Sequence, residues 1–344
     1  MSISPTMRTI LQPTADSGTD DLTLTIFPTP TPNLSENEHL IRVHTCSPCA
    51  GELLWYKNFP PPVSRVLIPC PDVAGTVVTA PANSPFPAGT EVYARTNYLR
   101  PANARDYTIG VTGELALKPQ RLSWAEAAAV PVSAQTAWQA LFVHAGIAPR
   151  GADGKEADWA AAEKAWAGKK VFVTAAAGGV GIWVVQLAAL LGAEVIGTCG
   201  GAKHVELVKS LGAKEALDYR VTDLRKWAEE HEEWRVDVVV DCIGQKAVED
   251  AWWFVKDEGT VLSIFRPPAP SRPEGVKAQG VKDVFFIMGP RGDQLQEITR
   301  LIDEGKCRPT VDSVWPLEKF REAFRRVDTG HAQGKVILDL LVGQ

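Results

Sequence analysis

Val171-Phe172-Val173-Thr174 runs into Ala175-Ala176-Ala177-Gly178-Gly179-Val180-Gly181, and a helical pattern follows at Ile182-Trp183-Val184-Val185-Gln186-Leu187. Four β-prone residues, a loop of small residues and a helix start are the parts that bring a pyrophosphate to a helix N-terminus. Gly178 lets the backbone approach the phosphates and Gly181 lets the helix pack on its strand, while N–H groups and the helix dipole hold the anion. A tight strand–helix turn without a ligand is the alternative. The end of the next β-like run, Glu194-Val195-Ile196-Gly197-Thr198, bears on which nucleotide fits. An acidic side chain there bonds both ribose hydroxyls, but this chain has Cys199, followed by Gly200, Gly201, Ala202 and Lys203. A neutral residue with glycines after it leaves room for a 2′-phosphate that Lys203 can neutralise, so NADPH is the expected cofactor. A solvated charge at a helix start is the other reading of Lys203.

Cys46-Ser47-Pro48-Cys49 has the spacing of a redox pair, which lowers thiol pKa at a helix N-terminus. The surrounding thioredoxin pattern is missing, so two buried cysteines are expected instead. The six histidines make no pairing with Ser or Cys that suggests a hydrolase, and His144 and His331 read as surface or capping residues.

These residues need a scaffold. From Leu22 to Tyr93 the chain reads as short strands and loops: Leu22–Ile26, His39–His44, Asp72–Val78 and a turn into a strand at 88–93. Ala125–Val143 is alanine-rich with helical spacing, broken by Pro131. Strands at 171–174, 194–198, 216–219, 236–241, 260–265 and 284–287 then alternate with helices near 181, 203–211, 223–232 and 245–255. Strands apolar on both faces and joined by helical crossovers mean a buried parallel sheet. The tail returns to a helix at 317–327 and a strand at Lys335–Leu340, expected to rejoin the N-terminal portion. The stretch Arg150–Lys169 reads as an added surface helix. A chain of 344 residues suggests two domains. Its net charge of −5 gives no basic footprint for nucleic acid or an anionic membrane. No segment has the length of a bilayer span or the pattern of a signal peptide, and the six scattered cysteines read as reduced thiols, so a cytoplasmic location is expected.

Pro71-Asp72-Val73-Ala74-Gly75-Thr76-Val77-Val78, Ala127-Ala128-Ala129-Val130-Pro131, Thr136-Ala137-Trp138-Gln139-Ala140-Leu141, the glycine loop, Lys209-Ser210-Leu211-Gly212-Ala213 and Gly334-Lys335-Val336-Ile337-Leu338 follow in that order. Over nearly the whole chain this resembles the medium-chain dehydrogenase/reductase superfamily, in its zinc-independent quinone-oxidoreductase and enoyl-reductase branch. Gly51-Glu52-Leu53-Leu54-Trp55 resembles a fungal variant. The resemblance implies an α/β fold, a GroES-like β-rich domain with an inserted Rossmann doubly wound parallel sheet. The implied division is 1–134, 135–290 and a return over 291–344. It also implies NAD(P)H-dependent hydride transfer to or from carbonyls, activated alkenes or quinones.

By position, the family resemblance places Thr136 near the nicotinamide ribose and Ala177, Gly178, Gly179 and Val180 at the pyrophosphate. Ser263 and Phe286 would border the nicotinamide, and Lys335 would approach from the returning C-terminal segment. Tyr219 matches a tyrosine of the NADPH-dependent members, with Arg220 able to help. Zinc-dependent relatives carry a cysteine at Cys49 and a Gly-His-Glu motif where this chain has Cys70-Pro71-Asp72. Proline binds no metal, and Gly51 falls where those enzymes have a proton-relaying hydroxyl, so no metal is expected. Some enoyl reductases supply a tyrosine as proton donor. The nearest phenol here is Tyr56, either a donor facing substrate or a ring packed beneath Pro60-Pro61-Pro62, and water can also protonate an enolate. Glu52 is expected to be structural. Trp55–Val66 and Phe265–Pro273 are the segments expected to shape substrate choice.

The expected activity is reduction of an α,β-unsaturated carbonyl or quinone, set in fungal secondary metabolism. Simple carbonyl reduction, a non-redox step on a retained fold and nucleotide binding without catalysis are the alternatives. The partner is a small-molecule substrate, with neither nucleic acid nor membrane, and the protein is a monomer or a homodimer through the strand at 284–287.

Overall fold

The structure is a computed structural model and describes residues 3–148 and 158–342. Two compact units divide the chain: a terminal unit, Met1–Gln135 with Gly289–Gln344, and a middle unit, Thr136–Met288.

In the terminal unit β1 (Thr6–Leu11) and β2 (Thr23–Pro28) pair antiparallel. A larger sheet takes β3 (Glu38–Ser47), β4 (Asp72–Thr79), β5 (Glu91–Arg95), β6 (Tyr107–Val111) and β7 (Leu115–Leu117). A short helix, α1 (Trp55–Asn58), lies between β3 and β4. Ile41, Val43, Cys46, Val73, Val77 and Val92 from three of these strands share one core. α2 (Trp124–Ala128) starts at a capping box, with Ser123 Oγ accepting from the Glu126 N–H and Glu126 Oε2 accepting from the Ser123 N–H. α3 (Pro131–Trp138) follows. Pro131 opens this second helix, where a missing N–H has no intrahelical partner to lose, and so splits the alanine-rich stretch in two. A π-helical turn continues it over Gln139–His144.

The middle unit adds α4 (Trp159–Trp166), whose Ala162 and Trp166 are buried and whose Trp159 ring lies 6.2 Å from Trp138 and 5.7 Å from Phe142. This is the added surface helix expected here, with Ala160, Glu163 and Lys164 exposed and its tryptophans turned to the protein; residues 150–157 of that stretch lie outside the described residues. Next come β8 (Lys170–Val173), α5 (Gly181–Leu190), β9 (Glu194–Cys199), α6 (Ala202–Ser210) and β10 (Glu215–Asp218). α7 (Leu224–Glu230), β11 (Val236–Asp241), α8 (Gln245–Ala251), β12 (Val255–Ser263) and β13 (Lys282–Phe285) complete the unit. All six strands are parallel, in the order β10-β9-β8-β11-β12-β13. Val171, Phe172, Val173, Val238, Val239 and Val240 are completely buried, as a sheet covered on both faces requires. The winding reverses between β8 and β11, so the carboxyl ends of these strands form the switch point where doubly wound sheets bind ligands.

The chain returns to the terminal unit with α9 (Gly292–Asp303), β14 (Val311–Pro316), α10 (Phe320–Asp328) and β15 (Lys335–Asp339). β15 lies between β14, parallel to it, and β3, antiparallel to it, with Leu338 opposite Cys46. Gly334 enters β15 at φ +75°, and a Cβ there would overlap the Thr310 carbonyl, so both conformation and space demand glycine. No helix among the described residues is long and apolar enough to cross a membrane.

Candidate cofactor site and a buried ionic cluster

The glycine loop joins β8 to α5. A Cβ on Gly181 would overlap the Ala175 carbonyl and the Ala176 Cα, and one on Gly178 would stand 3.1 Å from the Ala175 oxygen. The helix start can therefore come this close to its strand only because those side chains are missing. Ala175 turns the chain at φ +48°, and its carbonyl accepts from the Gly178 N–H at 2.8 Å. Ala177, Gly178, Gly179 and Val180 all lie on this turn at the N-terminus of α5. Such a cradle of close backbone at a helix start fits a pyrophosphate.

β9 and β10 end side by side, with Cys199 opposite Asp218. Cys199 is 2% exposed, and burial, with Asp218 nearby, pushes its thiol up to about 11, so it stands neutral at the end of β9. Beyond it the glycines leave space that neighbours already border. A Cβ on Gly200 would lie 3.0 Å from the Tyr219 hydroxyl, and one on Gly201, at φ +97°, would overlap the Arg220 guanidinium. Arg220 is held by Asp218, donating from Nε to Oδ1 and from Nη2 to Oδ2, each at 3.1 Å. The guanidinium holds that carboxyl down at about 2. Lys203 is exposed in the first turn of α6. Thus Cys199, Gly200 and Tyr219 come together with Arg220 beside them, and Lys203 follows in sequence at the start of α6.

At the carboxyl ends of β8, β11 and β12, sequence reasoning missed the residue that ties the strands together. Asp241, completely buried, accepts from Thr174 Oγ1 at 2.8 Å, Ser263 Oγ at 2.7 Å and the Gly244 N–H at 3.0 Å. A carboxylate closing the apolar run Val238-Val239-Val240 was the available signal. Ser263 therefore keeps its hydroxyl in this network and also accepts from the Phe265 N–H at 3.1 Å. Phe286, 6% exposed, stacks on His144 with ring centroids 4.2 Å apart. His144, which closes the π-helical turn as expected, is half-buried beneath that stack. Thr136 is buried in α3.

Tyr56 and Lys335 belong to the terminal unit. The Tyr56 hydroxyl points to the Ile68 carbonyl at 3.4 Å, the Arg65 guanidinium lies 4.5 Å from its ring centre, and burial raises its pKa. Lys335 is 6% exposed. Its Nζ donates to the Pro48 carbonyl at 2.8 Å and to Cys49 Sγ at 3.2 Å, and lies 3.0 Å from Asp72 Oδ2. That last contact is one of charge, since Oδ2 receives no well-aligned hydrogen bond. Asp72 Oδ1 accepts from the Val132 N–H at 2.6 Å. Arg95, 4% exposed, stands opposite Asp72 across the β4–β5 pair. Burial pushes Asp72 up, against the pull of Lys335, the Val132 N–H and Arg95. Burial also opposes the charge on Lys335, but Cys49 and Asp72 outweigh it and its pKa rises. Glu52 gives its Oε1 to the Cys70 N–H at 3.1 Å, and burial pushes it up to about 8, so it holds a proton at neutral pH. Arg95 and the pairing of Lys335 with Asp72 escaped the sequence reading, because Arg95 reaches Asp72 through the β4–β5 register and Lys335 only once β15 is inserted beside β3.

A zinc ion, which the name of a matching family suggests, does not fit this cluster. No group of three or more His, Cys, Asp or Glu among the described residues is placed to hold a metal. The Lys335 ammonium already stands against both Cys49 Sγ and Asp72 Oδ2.

Residues 211–338 match the family model described as a zinc-binding dehydrogenase. A probable zinc-binding oxidoreductase, mitochondrial, of Arthroderma benhamiae is 47% identical over 99% of this chain and 98% of its own length. A chloroplast envelope quinone oxidoreductase homolog of Arabidopsis thaliana is 34% identical over 79% of each chain. An NADPH-dependent alkenal/one oxidoreductase, chloroplastic, of the same plant is 30% identical over 79% of this chain and 63% of its own length.

Proposed function

The chain belongs to the medium-chain dehydrogenase/reductase superfamily, in its quinone-oxidoreductase-like part, and we propose that it is an NADPH-dependent, zinc-independent reductase of activated alkenes or quinones. One observation carries this reading: the neutral, buried Cys199 followed by Gly200 and Gly201, with Tyr219 and Arg220 beside them and Lys203 exposed at the start of α6. No carboxylate stands at the end of β9 to bond a ribose diol, and Asp218 opposite it is neutralised by Arg220. Names of relatives that specify an NADPH-dependent alkenal/one oxidoreductase and a quinone oxidoreductase homolog support the same substrate class.

NADPH, when bound, supplies a hydride. The turn over Ala177–Val180 and the N-terminus of α5 would hold its pyrophosphate, and Lys203, Tyr219 and Arg220 would hold its 2′-phosphate. Asp241 fixes Thr174, Ser263 and Gly244 at the strand ends, keeping that rim rigid. An enone reduced at its β-carbon becomes an enolate that needs a proton at the α-carbon. Tyr56 donates its hydroxyl proton to Ile68 O, so water is the proton source this reading favours. A small-molecule substrate of a fungal biosynthetic pathway and a cytoplasmic location complete the proposal. β13 pairs on one side only among the described residues, which supports a homodimer through strand addition, a monomer being the alternative.

Competitive titration of both cofactors tests the reading. Binding of NADPH at least about 10-fold tighter than NADH is expected from charge-assisted contacts to the extra phosphate. Equal affinities would remove its basis.

A further inference from the structure

We propose that the Lys335 ammonium is the resident cation of the pocket formed by Pro48, Cys49 and Asp72, and that this chain therefore takes no zinc there. By the resemblance drawn from the sequence, Cys49 and Cys70-Pro71-Asp72 fall at the positions expected to carry a zinc motif. In this chain a cation of another kind is already in contact with two of the three partners that remain. Nζ lies 3.2 Å from Cys49 Sγ and 3.0 Å from Asp72 Oδ2, with the Pro48 carbonyl at 2.8 Å closing the third side. Lys335 and Asp72 are 7% and 0% exposed in their side chains, so neither is a surface ion pair of convenience.

The groups facing this pocket leave no charge for a dication. Lys335 and Arg95 face one carboxylate, Asp72, while Cys49, Cys46 and Cys70 are thiols and Glu52 bonds the Cys70 N–H. A zinc ion would have to expel the ammonium, remove a proton from Cys49 and sit beside the Arg95 guanidinium. A second consequence concerns chemistry. Nζ donates to Pro48 and Cys49 and lies against Asp72, so Lys335 acts as a positioning residue. It binds the start of β15 to the loop after β3 and to the first residue of β4.

The test uses the full-length protein. After expression in zinc-supplemented medium and desalting, elemental analysis is expected to find no more zinc than in a buffer blank. Cobalt titration is expected to give no thiolate-to-cobalt absorption band. A full equivalent of zinc per chain that is lost in Cys49→Ser would overturn the proposal. A double-mutant cycle supplies the second arm. Lys335→Met leaves Asp72 buried without its partner and is expected to lower Tm by on the order of 10 °C. Adding Asp72→Asn should recover a large part of that loss, because it removes the orphaned charge. Additive losses would show that the two residues are not a pair and would equally overturn the proposal. If Lys335→Met yields no folded protein, recovery of soluble protein on adding Asp72→Asn is the same readout.

Discussion

At the residue scale, exposed groups beside the end of β9 and ionisable groups buried in the terminal unit decide most of what this molecule does. Tyr219 and Arg220 stand beside Gly200 and Gly201, and Lys203 is exposed at the start of α6. Lys203→Ala combined with Arg220→Ala should weaken NADPH binding by roughly 10- to 100-fold, with little change for NADH, as competitive titration would show. Glu52 gives a pH prediction whose sign follows from its position. Its folded pKa of about 8 lies above the ordinary 4.5, so the unfolded chain releases this proton first. Its contribution to stability is thus greatest below pH 4.5 and falls as pH rises towards 8, by up to about 1.4 kcal/mol for each unit of difference. Glu52→Gln keeps an oxygen for the Cys70 N–H and removes the titration. The variant should gain Tm over the native chain progressively between those pH values, and a constant difference across the range would contradict the assignment.

At the element scale, the strand–loop–helix of β8 and α5 was legible because Val171-Phe172-Val173 is apolar on both faces and glycines sit where a helix must approach. Gly181→Ala tests that contact. Its methyl would overlap the Ala175 carbonyl, so the helix must move away. We expect a stability loss of about 1–3 kcal/mol by chemical denaturation and at least about a 10-fold weaker grip on NADPH. Asp241→Ala should cost about 3–5 kcal/mol, because it orphans two hydroxyls and the Gly244 N–H in a dry site. Other elements were harder to read. β6 and β7 are short and pair with β3 and β5 rather than with a neighbour in sequence, so alternation within each one is a weak signal. α9 carries a clear signal, Leu295, Ile298, Leu301 and Ile302 on one buried face, yet it lies in the tail that the sequence reading treated only as a return. The extra helix at Trp159–Trp166 was legible, but its packing through Trp159 and Trp166 depends on partners in other elements.

At the scale of the whole molecule, the chain leaves the terminal unit, builds the middle unit and returns, and the return is where sequence proximity fails as a guide. The Lys335–Asp72 contact joins residues far apart in the chain, and nothing near either residue announces the other. Truncation before Lys335 would remove β15 from between β14 and β3 and leave Asp72 without its cation. Such a chain should be insoluble or molten, shown by loss of near-ultraviolet circular dichroism, whereas a folded product would show that β15 is dispensable. The central claim is chemical, and turnover with cofactor deuterated at the transferring carbon addresses it most directly. A panel of enones and quinones would be offered with chelator present, and products followed by mass. The account predicts, for an enone substrate, one deuterium at the β-carbon of the saturated product for each cofactor oxidised, unaffected by chelator. Product carrying no deuterium, formed without cofactor oxidation, would contradict it.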